Sequence, residues 1–558
     1  MTNENSWVPA LAGMTRLRRT HVFGALPILI LFALPLIASL FYALAGAFDV
    51  AAWQALFAHP QLWSGLELSV FTGATSAFLA LMTAIFIVAA TYERTAWRNL
   101  PATMGAMLAL PHLALAIGLG FLIMPSGLLA RLIANFITGW QVPPNWITTH
   151  DPYGLALIAT LTLKEAPFLI WVMAGFLNRD DIRQNFKSQR AAATSLGHGT
   201  ASIWLRLYLP QLMPKIIWPL VIVFIYAATV VDMSLVIGPT QPPTLATIVW
   251  ADINSEQVIH NARGNTGAVF LSLSLAISLA ITGALVKFSS PSFRRFLSSG
   301  PNARMLPNVV GHAKYRTLIW FYLVIVGMLL FMSFAQSWPF PNLVPTASTR
   351  AWSLIIQNPS ALVTSLALAI TTSVTALILI TLWIETMHEK SDRILVVFSL
   401  AVLGLPAILI GLGQYRAFLN FGLTGNIIGL FLAHLMPVTA YVIIVLIGPY
   451  RALDPRYNAI ASSLHKSYYE FLRHIKLPLL KAPIYAALAV GFTVSFGQYI
   501  PAQLVAAGRY STLPVEAVTL TSGTNRPLTA AFALLLLLPP LLAYVISAQF
   551  AKSRWSRS

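Results

Sequence analysis

The sequence predicts an all-α membrane protein of about twelve transmembrane helices, built as two parallel six-helix repeats. Three observations predict this fold: a mostly apolar composition, a one-sided distribution of basic residues and a long internal repeat. Of 558 residues, 57% are hydrophobic and only 9% charged, where an ordinary soluble domain carries roughly 25% charged residues. Mean hydropathy is +0.74, which places the chain in a bilayer.

Windows near or above the ~20 apolar residues that cross a hydrocarbon core as helix fall at 22–46, 63–90, 100–124, 153–177, 217–239, 268–286, 317–337, 362–387, 394–418, 426–449, 484–507 and 528–550. Lys164 and Glu165 interrupt the fourth. The first follows a polar segment and then Arg16, Arg18 and Arg19. That order mimics a signal peptide, but its apolar part is too long and lacks a small-residue cleavage site, so it predicts an uncleaved span.

The formal net charge of +18 sets orientation and does not mark a nucleic-acid partner. Most lysines and arginines fall in alternate connections: Arg94 and Arg98, then Arg179 through Lys215, Lys287 through Arg316, Lys390 and Arg393, Arg451 through Lys481, and Lys552 through Arg557. The opposite connections hold only Arg131, Arg263, Arg350, Arg509 and Arg526. Positive residues stay inside, which predicts a multi-pass protein surrounded by lipid, with both termini cytoplasmic. The chain has no cysteine, which excludes disulfides, thiolate metal sites and cysteine nucleophiles.

The repeat decides the domain organisation. Gly197 matches His465 at an offset of 268, and the same offset carries Leu209-Pro210 onto Leu477-Pro478 and Thr244-Leu245 onto Thr512-Leu513. Earlier in each half, HPQLWSGLELSV (59–70) resembles NPSALVTSLALAI (358–370), and LALPHLALAIGLG (108–120) resembles LGLPAILIGLGQ (403–414). Six spans per half is an even number, so both halves run the same way through the membrane. The expected division is a first repeat at 1–286, a Ser-, Pro- and Gly-rich cytoplasmic linker at 287–316 and a second repeat at 317–558. Between the third and fourth spans, LLARLIANFITGW has the spacing of a short helix lying at the interface.

The connection between the fourth and fifth spans of each half has one grammar. QRAAATSLG and YNAIASSLH are short runs of small and helix-forming residues, followed by nine residues and then LYLP or IKLP. Small side chains let another backbone approach, glycine permits the turn that ends a helix, and proline is tolerated in the first turn of the next helix. The prediction is a helix-turn-helix bracket at 190–210 and again at 458–478, rigidly joined to a membrane span.

These brackets resemble the EAA loops of ABC-transporter permeases, whose pattern is Glu-Ala-Ala, three residues, Gly, nine residues, Ile, one residue, Leu-Pro. The first copy supplies Ala191, Ala192, Ala193, Gly197, Leu209 and Pro210; the second supplies Ala459, Ile460, Ala461, His465, Leu477 and Pro478. Two departures stand out: alanine replaces the acidic first residue in both copies, and His465 replaces glycine in the second. The doubled form is similar to the fused permeases of binding-protein-dependent importers, such as those for thiamine and ferric iron, with the type I importer fold. The resemblance implies that the brackets dock on two copies of a cytoplasmic ABC ATPase, where ATP and Mg would be held, and that a periplasmic solute-binding protein delivers cargo.

The chain itself lacks a Gly-x-x-x-x-Gly-Lys-Ser/Thr phosphate loop, His-Glu-x-x-His and Gly-x-Ser-x-Gly, so neither nucleotide binding, metal-assisted chemistry nor serine hydrolysis is expected of it. It is expected to be a transport subunit and not an enzyme, with no cofactor or metal of its own. Ionisable groups at membrane depth cost roughly 2.5–3.5 kcal/mol each on insertion scales, which singles out Lys164, Glu165 and Asp232 as candidates for the translocation path, with a buried inter-helix pair as the other reading. Adjacent helical residues point about 100° apart, so Lys164 and Glu165 are expected to meet partners elsewhere. His112 and His434 read as hydrogen-bonded packing residues, and Glu67 and Glu385 as acids solvated at the membrane interfaces. The alternative class, an ion-coupled carrier of the major facilitator type, shares the parallel six-plus-six plan. However, YERTAWRN after the second span lacks that family's Gly and Asp-Arg signature, and the duplicated Leu-Pro bracket has no role there.

Overall fold

In hydrocarbon an unpaired backbone group costs several kcal/mol, so helix is the one local solution for a lipid-facing apolar segment. The computed structural model describes residues 24–298, 315–464 and 467–551. Among them, ten helices are long and apolar enough to cross a membrane, and two bent pairs bring the number to twelve if each pair is one span.

The first half contains α1 (Leu34–Ala45), α2 (Leu62–Thr91), α3 (Leu100–Leu108), α4 (His112–Ile123), α5 (Leu155–Leu177), α6 (Asp180–Ser195), α7 (Leu209–Thr229), α8 (Asp232–Ile237), α9 (Leu245–Ile253) and α10 (Val258–Ser298). The second contains α11 (Tyr315–Ser333), α12 (Ser360–Thr386), α13 (Asp392–Gly404), α14 (Ala407–Asn420), α15 (Ile427–Arg451), α16 (Arg456–Ser463), α17 (Lys481–Phe496), α18 (Ile500–Ala506), α19 (Leu513–Thr521) and α20 (Arg526–Ala551). Each of these ten first-half helices finds its counterpart ten numbers on. Both halves repeat the same packing: α2 lies against α5 and α7 as α12 lies against α15 and α17, α3 against α5 as α13 against α15, and α4 against α8 as α14 against α18.

The first helix of each half crosses to the other. α1 packs along α14, and α11 packs along α4 as well as α20. A glycine permits each crossing, and each lies seven residues after the proline of its break, Pro111 or Pro406. A Cβ on Gly118 of α4 would stand 2.6 Å from the Ile325 side chain of α11, and one on Gly413 of α14 would stand 1.9 Å from the Ser39 carbonyl oxygen of α1. Close backbone approach at small residues is how membrane helices gain packing energy.

The spans are interrupted inside the bundle, and at several interruptions a neighbouring side chain completes the backbone hydrogen bonding. Pro111 lacks an N–H and ends α3 at Leu108. The freed carbonyls of Leu108 and Leu110 accept from Lys164 Nζ of α5 at 3.0 and 2.5 Å, a cation at a helix C-terminus where the dipole favours it. The second half has the same break at Pro406, where the span bends by 105°. Aligning Pro167 with Pro437, the internal prolines of α5 and α15, sets His434 opposite Lys164; His434 bonds the Ser495 hydroxyl at 3.1 Å. The repeated Thr-Leu pairs begin α9 and α19. The Leu245 N–H donates to Ser69 Oγ of α2 at 2.9 Å, and the Leu513 N–H donates to Ser365 Oγ of α12 at 2.8 Å, with both serines buried.

Several sequence expectations are corrected. Lys164 and Glu165 do not interrupt the fourth span, which is continuous as α5. The fifth begins at Leu209 and stops at Thr229, and α8 is a separate short helix. The connector expected from residue 287 starts as helix, because α10 runs to Ser298; residues 299–314 lie outside the described residues. The short helix expected near Arg131 is present at Leu128–Ile133.

Two predictions follow from this packing. Gly413→Ala lowers the thermal midpoint of the detergent-solubilised protein, by the equivalent of about 1–3 kcal/mol, whereas Gly175→Ala, which points into open space, leaves it unchanged or raises it. Lys164→Met destabilises by about 1–3 kcal/mol through its orphaned carbonyls, while Lys164→Arg, which keeps a donor, melts closer to the native protein.

Candidate functional sites: two brackets and a buried cluster

The expected brackets form at the basic end of the bundle. In the first, α6 ends at Ser195 and the chain reverses through Gly197, whose φ of +84° is the left-handed conformation that glycine adopts without strain. Here the Gly197 N–H bonds the Thr194 carbonyl and the His198 N–H the Ala193 carbonyl, which closes the helix end. Thr200–Ile203 restarts the helix, and a widened π-turn at Trp204–Tyr208 leads into Leu209-Pro210 and α7.

The second bracket repeats these parts. α16 ends at Ser463, and Ser467 caps the short helix Tyr468–Phe471 through a reciprocal pair with Glu470. A π-turn at Leu472–Lys476 again directly precedes Leu477-Pro478. Proline gives no N–H to the turn before it and its ring crowds the carbonyl four residues back, so a widened turn ahead of each Leu-Pro is the physical content of the repeated exit. Beyond it the paths differ: α7 continues straight on, whereas a 72° bend separates Tyr468–Leu479 from α17. His465 lies outside the described residues.

Ala191, Ala192, Ala459 and Ile460 are exposed and Ala193 is half-buried. Ala461, the counterpart of Ala193, is buried at 2% exposure, on a helix that packs against Tyr468–Phe471. Large apolar side chains stand free nearby, with Leu196 71%, Ile460 56% and Leu464 66% exposed. Leu196 belongs to the first bracket, and Ile460 and Leu464 to the second.

The roots of the two brackets use residues that the sequence reading did not single out. The first is aromatic: Phe186 of α6 stacks on Tyr208 at 4.5 Å, and Trp204 and Tyr92 meet Tyr208 edge-on at 5.0 and 5.9 Å. Arg190 pairs with Glu93 beside it. The second root is built on Glu385, which is not solvated at the interface as expected but accepts from Lys476, Tyr450 and Tyr468.

The buried candidates separate into two roles. Lys164 turns to the break before α4, and its work is structural. Glu165, the next residue, reaches His112 Nε2 at 3.0 Å, and the His112 ring lies 4.7 Å from that of Tyr226 on α7. Glu165 thus meets His112, the first residue of α4, while Asp232 opens α8, which packs against α4; the histidine side chain keeps 33% of its surface accessible. At the other end of α4, a cavity of about 480 Å³ opens between the halves, lined by Ile117, Phe121, Val236, Thr521 and Arg526 among others. The Arg526 guanidinium donates to Ser126 Oγ at 3.1 Å across its mouth.

No family model matches the chain. It is 29% identical over 540 residues to the inner membrane ABC transporter permease protein YnjC of Escherichia coli, covering 96% of this chain and 98% of that protein. It is 24% identical over 492 residues to the thiamine transport system permease protein ThiP of Salmonella typhimurium, covering 83% and 84%. The putative 2-aminoethylphosphonate transport system permease protein PhnV of the same species aligns at 25% identity over 96% of its own length but only 45% of this chain. Along almost its whole length the chain is thus similar to double-length inner-membrane permeases of ABC transporters, and this likeness, together with the all-helical membrane fold, supports a multi-pass permease over a carrier of the major facilitator type.

Proposed function

We propose that this chain forms the translocation path of a binding-protein-dependent ABC importer, with both pore-forming halves on one polypeptide. Two ATPase subunits bind the brackets on the cytoplasmic face and hold the ATP and Mg; a periplasmic solute-binding protein delivers cargo to the opposite face. Both termini are then cytoplasmic.

The observation that carries this reading is the bracket seen twice: exposed apolar residues at its tip and a π-turn directly before Leu-Pro, continuous with α7 in the first copy and bent by 72° before α17 in the second. Closure of an ATPase dimer on such tips would push α7 and α17, which pack on α2 and α12, and shift the two halves between inward-open and outward-open populations. A binding protein acting from outside biases the same equilibrium. Cargo moves along α4, between the outer cavity and the His112, Glu165 and Asp232 cluster. Broken helices at membrane depth suit this role, because their free ends face the path.

Leu196→Asp and Ile460→Asp each place a charge on an exposed tip without touching the core. Each is expected to reduce co-purification of the ATPase by about tenfold, as loss of an apolar anchor does at an interface, at unchanged membrane level and thermal midpoint. Undiminished ATPase on both variants would refute the docking assignment.

A further inference from the structure

We propose that Glu385 is a positioning residue for ATPase coupling, through which the second bracket grips the membrane helices and which has no equivalent in the first. The inference rests on the bracket reading above and adds an asymmetry to it.

Glu385 stands one residue before the end of α12. Its carboxylate lies 2.8 Å from Lys476 Nζ and accepts from the Tyr450 hydroxyl of α15 and the Tyr468 hydroxyl. Lys476 ends the π-turn before Leu477-Pro478, and Tyr468 begins the bracket's second arm, so one carboxylate joins both ends of that arm to two membrane helices. The Lys476 ammonium also lies 4.7 Å from the Tyr450 ring centre. The two charged side chains keep only 13% and 16% of their surface accessible, which strengthens their attraction over that of an exposed pair.

A second tie fixes the helix ends that Glu385 grips. Arg451, the last residue of α15, donates to both oxygens of Asp392 at 2.8 and 3.1 Å and to the Met387 carbonyl at 2.9 Å. Trp383 of α12 donates to the same carboxylate at 2.9 Å. The ends of α12 and α15 and the start of α13 thus form one block. A cavity of about 200 Å³, lined by Tyr450, Asp454, Asn458, Tyr468 and Lys476 among others, lies between bracket and block, and Glu385 joins the two beside it.

The first bracket does the same work without a charge in its core. Tyr208 occupies the position matching Lys476, and it is 1% exposed, stacked on Phe186 and flanked by Trp204 and Tyr92. Its ion pair, Arg190 with Glu93, is the more exposed one, at 44% and 28%. Aromatic packing holds one bracket and a buried ion pair spans a void at the other, so the two ATPase contacts are mechanically unequal. Neutralising Glu385 or Lys476 weakens transmission from the second bracket alone.

The chain has no cysteine, so one introduced at Thr521, on α19 at the outer cavity, reports movement in the second half. In the complex with its ATPase, the test is the change in maleimide labelling of Thr521→Cys on adding ATP and vanadate. Glu385→Gln and Lys476→Gln are expected to bind the ATPase normally and to shrink that change about fivefold, the low end of measured couplings between sites; Lys476→Arg, which keeps the charge, restores it. Native-sized changes in both neutral variants, a failure of Lys476→Arg to rescue, or losses confined to thermal stability and complex yield would each overturn the proposal. Absence of any ATP response in the unmutated Thr521→Cys complex would overturn the functional reading and this proposal together.

Discussion

Every interruption of a helix inside this bundle must have its backbone hydrogen bonds completed by a neighbour, because the surrounding hydrocarbon offers none. That constraint explains residues that would otherwise look misplaced. Lys164 is at membrane depth because Pro111 leaves the Leu108 and Leu110 carbonyls without donors. Ser69 and Ser365 are buried because α9 and α19 begin against them with free N–H groups. The breaks in turn create the site: only because α3 stops does α4 start at His112, where Glu165 meets it and α8, opened by Asp232, packs alongside.

Duplication supplies the frame, and departures from it distinguish the two halves. The exchange of first helices, α1 onto α14 and α11 onto α4, ties the halves together through paired glycines. Yet Lys164 has His434 as its counterpart and Tyr208 has Lys476, so one half carries a cation at its helix break and the other at its bracket root. A fused chain permits this division of labour, since each copy is free to diverge while their stoichiometry stays fixed.

Much of this was legible in the sequence wherever a residue's role is local or repeated. Leu-Pro at 209–210 and 477–478 announced the brackets, Gly197 its turn, and Thr-Leu at 244 and 512 a shared helix start. What escaped depends on contacts distant in sequence. Glu385 read as an interfacial acid because its partners lie 65 and 83 residues away at Tyr450 and Tyr468, and no spacing rule connects them. Ala461 followed the small-residue pattern, but helical phase put it inside. The crossing of α1 and α11 was hidden because nothing in a hydrophobic span states which half it will join; only Gly118 and Gly413 in the repeated IGLG carried that signal. The helical start of the linker at 287 escaped because α10 continues through the Ser- and Pro-containing stretch to Ser298, which composition alone reads as a loop.

The central claim is that the two brackets are docking sites for two ATPase subunits. Its most direct test is the native mass of the complex extracted from its own membrane in mild detergent, with the attached chains identified by peptide sequencing. One copy of this chain with two copies of a phosphate-loop ATPase is the predicted result. A permease that emerges alone, even after cross-linking in the membrane, would contradict it and leave the brackets without a partner.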